Sequence, residues 1–263
     1  MGATLVGVVV AMALVSLVYT PYPPNATDFV HRLAPPSWAH PLGTDHFGRD
    51  VLSRIMAGAQ NAIWVGVVAV GIGLVAGTAL GLVSGYAGGW WDAGLSLVLE
   101  AWYSFPALLL ALLLATAWGP GVTSSMVAVG LATVPAFYRV ARAGVLATRN
   151  LPYVEAARAV GATGARILLR HVLPNVMPAL LIQSSFAFGS AILAEAALSY
   201  LGLGTQPPHP SWGRMLREAQ SFLALSPYPA LFSGLAVATG VLGFNLLGDG
   251  LRDALDPTRR RGR

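Results

Sequence analysis

Between Arg54 and Asp92 the chain carries no charged residue, and the stretch is made largely of valine, leucine, alanine and glycine. A run of roughly 18 apolar residues already suffices to cross a bilayer. No folded soluble domain of this size hides so long a stretch, so the feature places the chain in a membrane. Composition agrees. Of 263 residues only 10% are charged and 55% are hydrophobic, with a mean hydropathy of +0.64, whereas soluble domains carry about 25% charged residues. There is no cysteine, which excludes disulfides, thiolate metal sites and a cysteine nucleophile. All 16 basic residues are arginine. An ordinary P-loop needs a lysine to reach the β- and γ-phosphates, so this chain does not hold one. The net charge of +5 comes with no soluble basic domain or base-stacking surface, so nucleic acid is not a partner.

Hydropathy divides the chain into about six spans: 3–20, 62–83, 94–118, 122–140, 176–201 and 229–247. The first is read as a retained anchor and not a cleaved signal. It has no positive flank before it and no small-x-small site soon after it. The predicted organisation is an N-terminal anchor with a polar loop (1–59), an apolar core (60–249) and a basic tail (250–263). The 84-SGYAGGWWD-92 segment reads as a tight turn with tryptophans at interface depth. With six spans, the region 139–170 and the tail fall on one side and hold eleven arginines, against five on the other. Arginine-rich flanks stay cytoplasmic, so both termini are expected in the cytoplasm.

The charge between the fourth and fifth spans is concentrated in 150-NLPYVEAARAVGATGARILLRHVLPN-175. Asn150 is a candidate cap and Pro152 suits a first helical turn, which predicts a helix over 151–160. Gly161 is placed where a helix ends in the left-handed region. Thr163 caps a second helix, 164–173, that Pro174 and Asn175 end. The first helix exposes small residues, Ala156, Ala157 and Ala159, against which another backbone packs closely. Glu155 and Arg158 are spaced as an i,i+3 pair. Taken alone, these features fit either a knob for a partner protein or a solvated loop whose arginines set topology.

Here a family resemblance enters. The segment resembles the EAA loop of ABC-importer permeases: Glu-Ala-Ala, three residues, Gly, nine residues, then Ile-x-Leu-Pro. Glu155, Ala156, Ala157, Gly161, Leu173 and Pro174 fall in register, with His171 in place of the isoleucine. The segments 41-PLGTDHFGRDVLSR-54, 105-FPALLLALLL-114, 194-AEAALSYLGLG-204 and 244-FNLLGDGLRDALDP-257 extend the likeness to nearly the whole chain. They resemble the C-type permease of dipeptide, oligopeptide and nickel importers. The resemblance implies an all-α, type I ABC-importer permease fold in the inner membrane, with lipid around it. It also implies a homologous B-type permease beside it, two cytoplasmic ATPase subunits, and a substrate-binding protein outside. Glu155, Ala156, Ala157, Arg158, Gly161, Leu173 and Pro174 would then contact the ATPase. ATP hydrolysis would lie on those other subunits, and no catalytic residue or cofactor is expected here.

Three further features carry weight. Glu195, within the fifth span, is either a pathway or gate residue or a buried carboxylate bonded to a neighbouring helix. Glu100, at the start of the third span, reads as structural. His40, Asp45, His46 and Asp50 are irregularly spaced among turn-forming glycines, so no metal site is assigned. The segment 208-PHPSWGRMLREAQSF-222 predicts a short amphipathic helix on the outer surface. A rival reading of the whole chain is a self-contained, proton-coupled transporter using Glu195. It lacks a visible inverted repeat and leaves the EAA segment unexplained.

Overall fold

The computed structural model describes residues 1–255, so the arginine cluster expected at 259–263 lies outside the described residues. The described residues are predominantly helical. Helix α1 (Gly2–Val15) is followed by a loop whose regular element is one 3-10 turn, Phe29–His31. Then come α2 (Val51–Ile72), joined through the π turn Gly73–Gly77 to α3 (Thr78–Ala87), and α4 (Gly89–Tyr103), α5 (Ala107–Trp118) and α6 (Val122–Thr148). The remainder is α7 (Pro152–Ala159), α8 (Gly164–Ile167), a π turn Leu168–Val172, α9 (Leu173–Leu201), α10 (Trp212–Gln220) and α11 (Tyr228–Leu255).

Among the described residues, four continuous helices are long and apolar enough to cross a membrane: Val51–Ala87, Val122–Thr148, Gly164–Leu201 and Tyr228–Leu255. The pair α4–α5 makes a fifth, bent by 84°. The sixth expected span, α1, has 14 residues, about 21 Å of helix against a hydrocarbon core of about 30 Å. It stops short of residue 20 because Ser16 caps it and turns its hydroxyl back onto Ala13 O at 2.9 Å, ahead of the prolines at 21, 23 and 24.

The second span begins eleven residues before the predicted start, at Val51 instead of 62. Asp50 is the reason. Its Oδ2 accepts from Ser53 N at 2.8 Å and from Ser53 Oγ at 2.7 Å, while Oδ1 meets His40 Nδ1 at 2.9 Å. That cap pulls 51–61 into the helix, and α2 therefore runs unbroken through residue 59, where the anchor and loop were expected to end. The third span differs more. Pro106 is extended (φ −61, ψ 127), a proline disfavours helix in the residue before it, and the expected single helix over 94–118 is broken there.

α3 packs along α6 at backbone distance. A Cβ on Gly81 would lie 2.5 Å from Tyr138 O, so a glycine is required for this approach. α9 and α11 pack along each other, α1 lies on α11, and α2 lies between α6 and α9. α10 is the predicted amphipathic helix, shorter than foreseen and capped by Ser211. It buries Trp212, Met215 and Ala219, and Trp212 Nε1 donates to Ile55 O at 3.0 Å.

Candidate functional site

One end of the bundle carries the charged segment between α6 and α9. Leu151, not Asn150, is the N-cap of α7, with Pro152 at its first turn. Asn150 is displaced because α6 runs on to Thr148 and the chain turns immediately after it. Val154 is fully buried and joins an apolar patch with Val145, Ile167, Val172 and Val176. Val154 is thus a pin that holds α7 to the ends of α6 and α9. Away from the patch Glu155, Ala156 and Ala159 are exposed, and Arg158, one turn after Val154 on the same side, is exposed at the patch's edge. Val160 follows at 84% exposure. Ala157, expected on the small-residue surface, packs instead against the apolar patch.

Gly161 has φ +82, and nothing lies within 4 Å of where a Cβ would sit. The glycine therefore serves conformation and not space, since a side chain would fit but the left-handed backbone disfavours it. Thr163 caps the next helix by accepting from Arg166 N at 3.4 Å. That helix does not end at Pro174. It passes through the Leu168–Val172 π turn into α9, so Gly164–Leu201 forms one long helical element. The wider turn makes this possible. Leu173 N donates to Leu168 O, five residues back, ahead of the position where Pro174 has no N–H to offer. Asn175 Nδ2 then supplies a donor to His171 O at 2.6 Å.

The expected Glu155–Arg158 ion pair does not form among the described residues. Arg158 faces the Tyr86 ring, 5.7 Å from its centroid. An exposed i,i+3 pair gains little, and an aromatic face competes with it. Tyr86 also packs on Gly164, and Arg149 Nη1 donates to Gly85 O at 2.8 Å. The 84–92 turn therefore braces the charged segment. Asn175 Nδ2 also donates to Tyr153 Oη at 3.1 Å, which ties α7 directly to α9.

Behind this end lies a polar node absent from the sequence reading. Arg142 holds Asp92 through two bonds of 2.6 Å. Ser84 Oγ donates to Asp92 Oδ1 at 2.5 Å, and Tyr138 Oη lies 2.9 Å from Ser84 Oγ and 2.8 Å from Ser96 Oγ. The available signal was the first carboxylate after the charge-free run, together with an arginine two residues past the predicted end of the fourth span. In sequence that arginine reads as a topology charge.

Glu195 sits in a different place, 2% exposed. Its Oε1 accepts from Ser199 Oγ at 2.7 Å, Asn61 Nδ2 at 2.9 Å and Thr205 Oγ1 at 3.0 Å. These donors join α2, α9 and the loop after α9. Nearby, at the end of the bundle remote from α7, Asp45, His46 and Glu218 bring ligand atoms within 4.8 Å of one another. Arginines already occupy the carboxylates. Arg49 Nε meets Asp45 Oδ2 at 2.6 Å, Arg49 Nη2 and Arg54 Nη2 meet Glu218 Oε2 at 2.7 and 3.2 Å, and Arg214 Nε meets Glu218 Oε1 at 2.7 Å. Burial pushes Glu218 up, but the Arg214 hydrogen bond and the Arg54 and Arg49 charges outweigh it and hold the carboxyl below its usual range. His46 stacks on Phe222 at 4.9 Å, and burial depresses its pKa.

A bundle of long apolar helices with one broken pair and one exposed short helix between spans defines a polytopic helical membrane protein of the type I ABC-importer permease fold. It matches inward-facing structures of the MetNI methionine ABC transporter with TM-scores of 0.62 and 0.64, over 77% of this chain and 96% of that one. At 17% and 16% identity, that likeness speaks for the fold alone. Residues 77–261 match the family of binding-protein-dependent transport system inner membrane components, and the chain belongs to that family. Two relatives are the dipeptide transport system permease protein DppC of Alkalihalophilus pseudofirmus and the glutathione transport system permease protein GsiD of Pectobacterium atrosepticum. The first is 42% identical over 231 residues, 88% of this chain and 76% of that protein. The second is 43% identical over 233 residues, 89% and 77%. The protein is thus a permease component of an importer, not an enzyme.

Proposed function

We propose that the chain passes di- or oligopeptides across the cytoplasmic membrane and that α7 couples this passage to ATP hydrolysis on separate subunits. The observation that carries the proposal is the two-sidedness of α7. Val154 is pinned in the apolar patch, while Glu155, Ala156 and Ala159 are left open on a helix two turns long. A coupling element must be rigid and must contact its partner differently in two states, since only differential contact shifts an equilibrium. Gly161 sets the angle of α7. Leu173 and Pro174 carry the motion into α9 through the π turn, so a push on α7 is a push on a span.

The names of the relatives support peptides over nickel. The eleven-to-five arginine count supports cytoplasmic termini and a cytoplasmic α7. The chain would work beside a homologous permease, on two ATPase subunits, and below a substrate-binding protein that meets the opposite end, where α10 lies. Glu195 is proposed as a brace at the outer gate, because three neutral side-chain donors converge on one of its oxygens inside the protein. A proton-coupled transporter has no such support.

The test is a mild-detergent pull-down of the tagged chain beside a Glu155→Arg variant. Wild type should bring down ATPase subunits and a second permease, and the variant should lose the ATPases. Wild type recovered alone, with no ATPase, would overturn the reading.

A further inference from the structure

The break between α4 and α5 lies against Pro135, the proline inside α6. Between them is a cleft of about 210 Å³, lined by Glu100, Tyr103, Ser104, Tyr138 and Arg139 as well as Leu99 and Pro135. One water needs only about 10–15 Å³, so the cleft takes more than solvent. Two charges meet there within the membrane. Arg139 lies nine residues before the end of α6 at Thr148, and Glu100 eleven residues after the start of α4 at Gly89. At 1.5 Å per residue both stand about 14–17 Å along their helices from the same end of the bundle. α6, with 27 residues, is about 40 Å long and overshoots a hydrocarbon layer of about 30 Å, so the two groups lie toward its α7 side.

Neither charge is neutralised in the usual way. No hydrogen bond or ion pair to the Glu100 carboxylate is present among the described residues, and the nearby Arg142 is committed to Asp92 by its two short bonds. Arg139 stacks its guanidinium over the Tyr103 ring at 3.8 Å. Stacking occupies the face of the group and leaves its N–H edge free. Ionised groups at this depth face a water-filled passage or a partner, not lipid. Broken helices are tolerated there where they line a cavity.

We propose that this cleft is a passage subsite for a zwitterionic solute, with Glu100 facing its ammonium and Arg139 its carboxylate. A peptide carries both groups, so the inference rests on, and sharpens, the peptide-importer reading. The separated, unsatisfied pair offers each end of the solute a counter-charge inside one cleft, where both have left bulk water. The cleft lies beside the break between the two helices.

The chain has no cysteine, so a single introduced thiol is unique on it. In the assembled transporter, Tyr103→Cys and Ser104→Cys, neutral positions on the cleft wall that keep Glu100 and Arg139 in place, should react with the membrane-impermeant anion methanethiosulfonate ethylsulfonate. Labelling should be about tenfold faster than for Leu112→Cys on α5, because the thiolate is the reacting species and does not form in hydrocarbon. Dialanine, trialanine or glutathione, whichever wild type imports, should slow both reactions, and labelling should stop uptake. Lack of labelling at both positions, while ATPase subunits still co-purify, overturns the subsite and leaves the importer reading intact. Labelling that leaves uptake unchanged also overturns it. A wild-type complex that imports none of the three peptides removes the zwitterionic assignment, and loss of the ATPase subunits from wild type removes the importer reading itself.

Discussion

The two ends of the bundle are built on opposite principles. At one end, the loop after α1, the start of α2, and α10 are locked by Asp45, Arg49, Arg54, Arg214 and Glu218. Arg54 is 1% exposed there. Residues more than 160 positions apart share one carboxylate. At the other end α7 rests on one buried valine, a left-handed glycine, one tyrosine–asparagine bond and a cation over a ring. Among the described residues Glu155, Ala156 and Ala159 stay exposed on its outer face. A charge network among buried groups gives a single geometry, because any slip strands a charge. An apolar pin with sparse polar contacts holds a position and leaves a surface to be completed by something else. Rigidity belongs where the fold must stay closed, and an open face suits the coupling contact proposed for α7.

The largest effect should come from breaking the locked end. Glu218→Ala takes from the buried Arg54 its nearer carboxylate, at 3.2 Å, and leaves Asp45 at 3.6 Å. It should cost about 3 kcal/mol, the low end for a broken buried pair, read as a drop in thermal stability in detergent. A variant as stable as wild type would mean that the network does not lock the fold. At the open end, Val154→Ala removes two buried carbons, about 1.6 kcal/mol. It should raise proteolysis and hydrogen exchange over 150–163 while leaving the global melting temperature nearly unchanged. An equal fall in both would erase the contrast between the ends. Gly161→Val forces a β-branched residue to φ +82, about 1–2 kcal/mol of backbone strain. It is expected to leave ATPase binding in place and to lower the peptide imported per ATP hydrolysed. Tyr153→Phe removes one hydrogen bond, about 0.5–1.5 kcal/mol, and should show a smaller change of the same kind. On acidification the locked end should respond first. His46 has a folded pKa below its ordinary 6.5 and Glu218 one below its ordinary 4.5. For both groups the unfolded state binds protons first, so their contribution is full above those values and is lost as pH falls through the folded ones. Exchange rates over 202–226 should rise below pH 6.5 and again below 4.5, with those over 150–163 little affected.

Local chemistry made much of the open end legible. Thr163 as a cap, Gly161 in the left-handed region and Pro152 in a first turn are each dictated within three or four residues. The path of the chain past Pro174 was not legible, because the π turn before it depends on α9 being held against α6. The pairing of Arg158 was missed for a related reason. Its competitor, Tyr86, is more than 70 positions away. Asp92 and Arg142 were both visible, but nothing local announced that they meet.

The sequence by itself determined that this chain is a helical membrane protein, roughly where its spans lie, and where a short charged helix stands between two of them. Hydropathy and capping act over neighbouring residues and need no fold to be read. Only the tertiary structure decided that one predicted span is bent at Pro106, that Glu195 is enclosed by three donors, and that Glu100 and Arg139 share a cleft. Those facts depend on which helices lie side by side. In a bilayer every span is equally apolar, so hydropathy leaves neighbours unspecified, and close packing and polar pairing choose them.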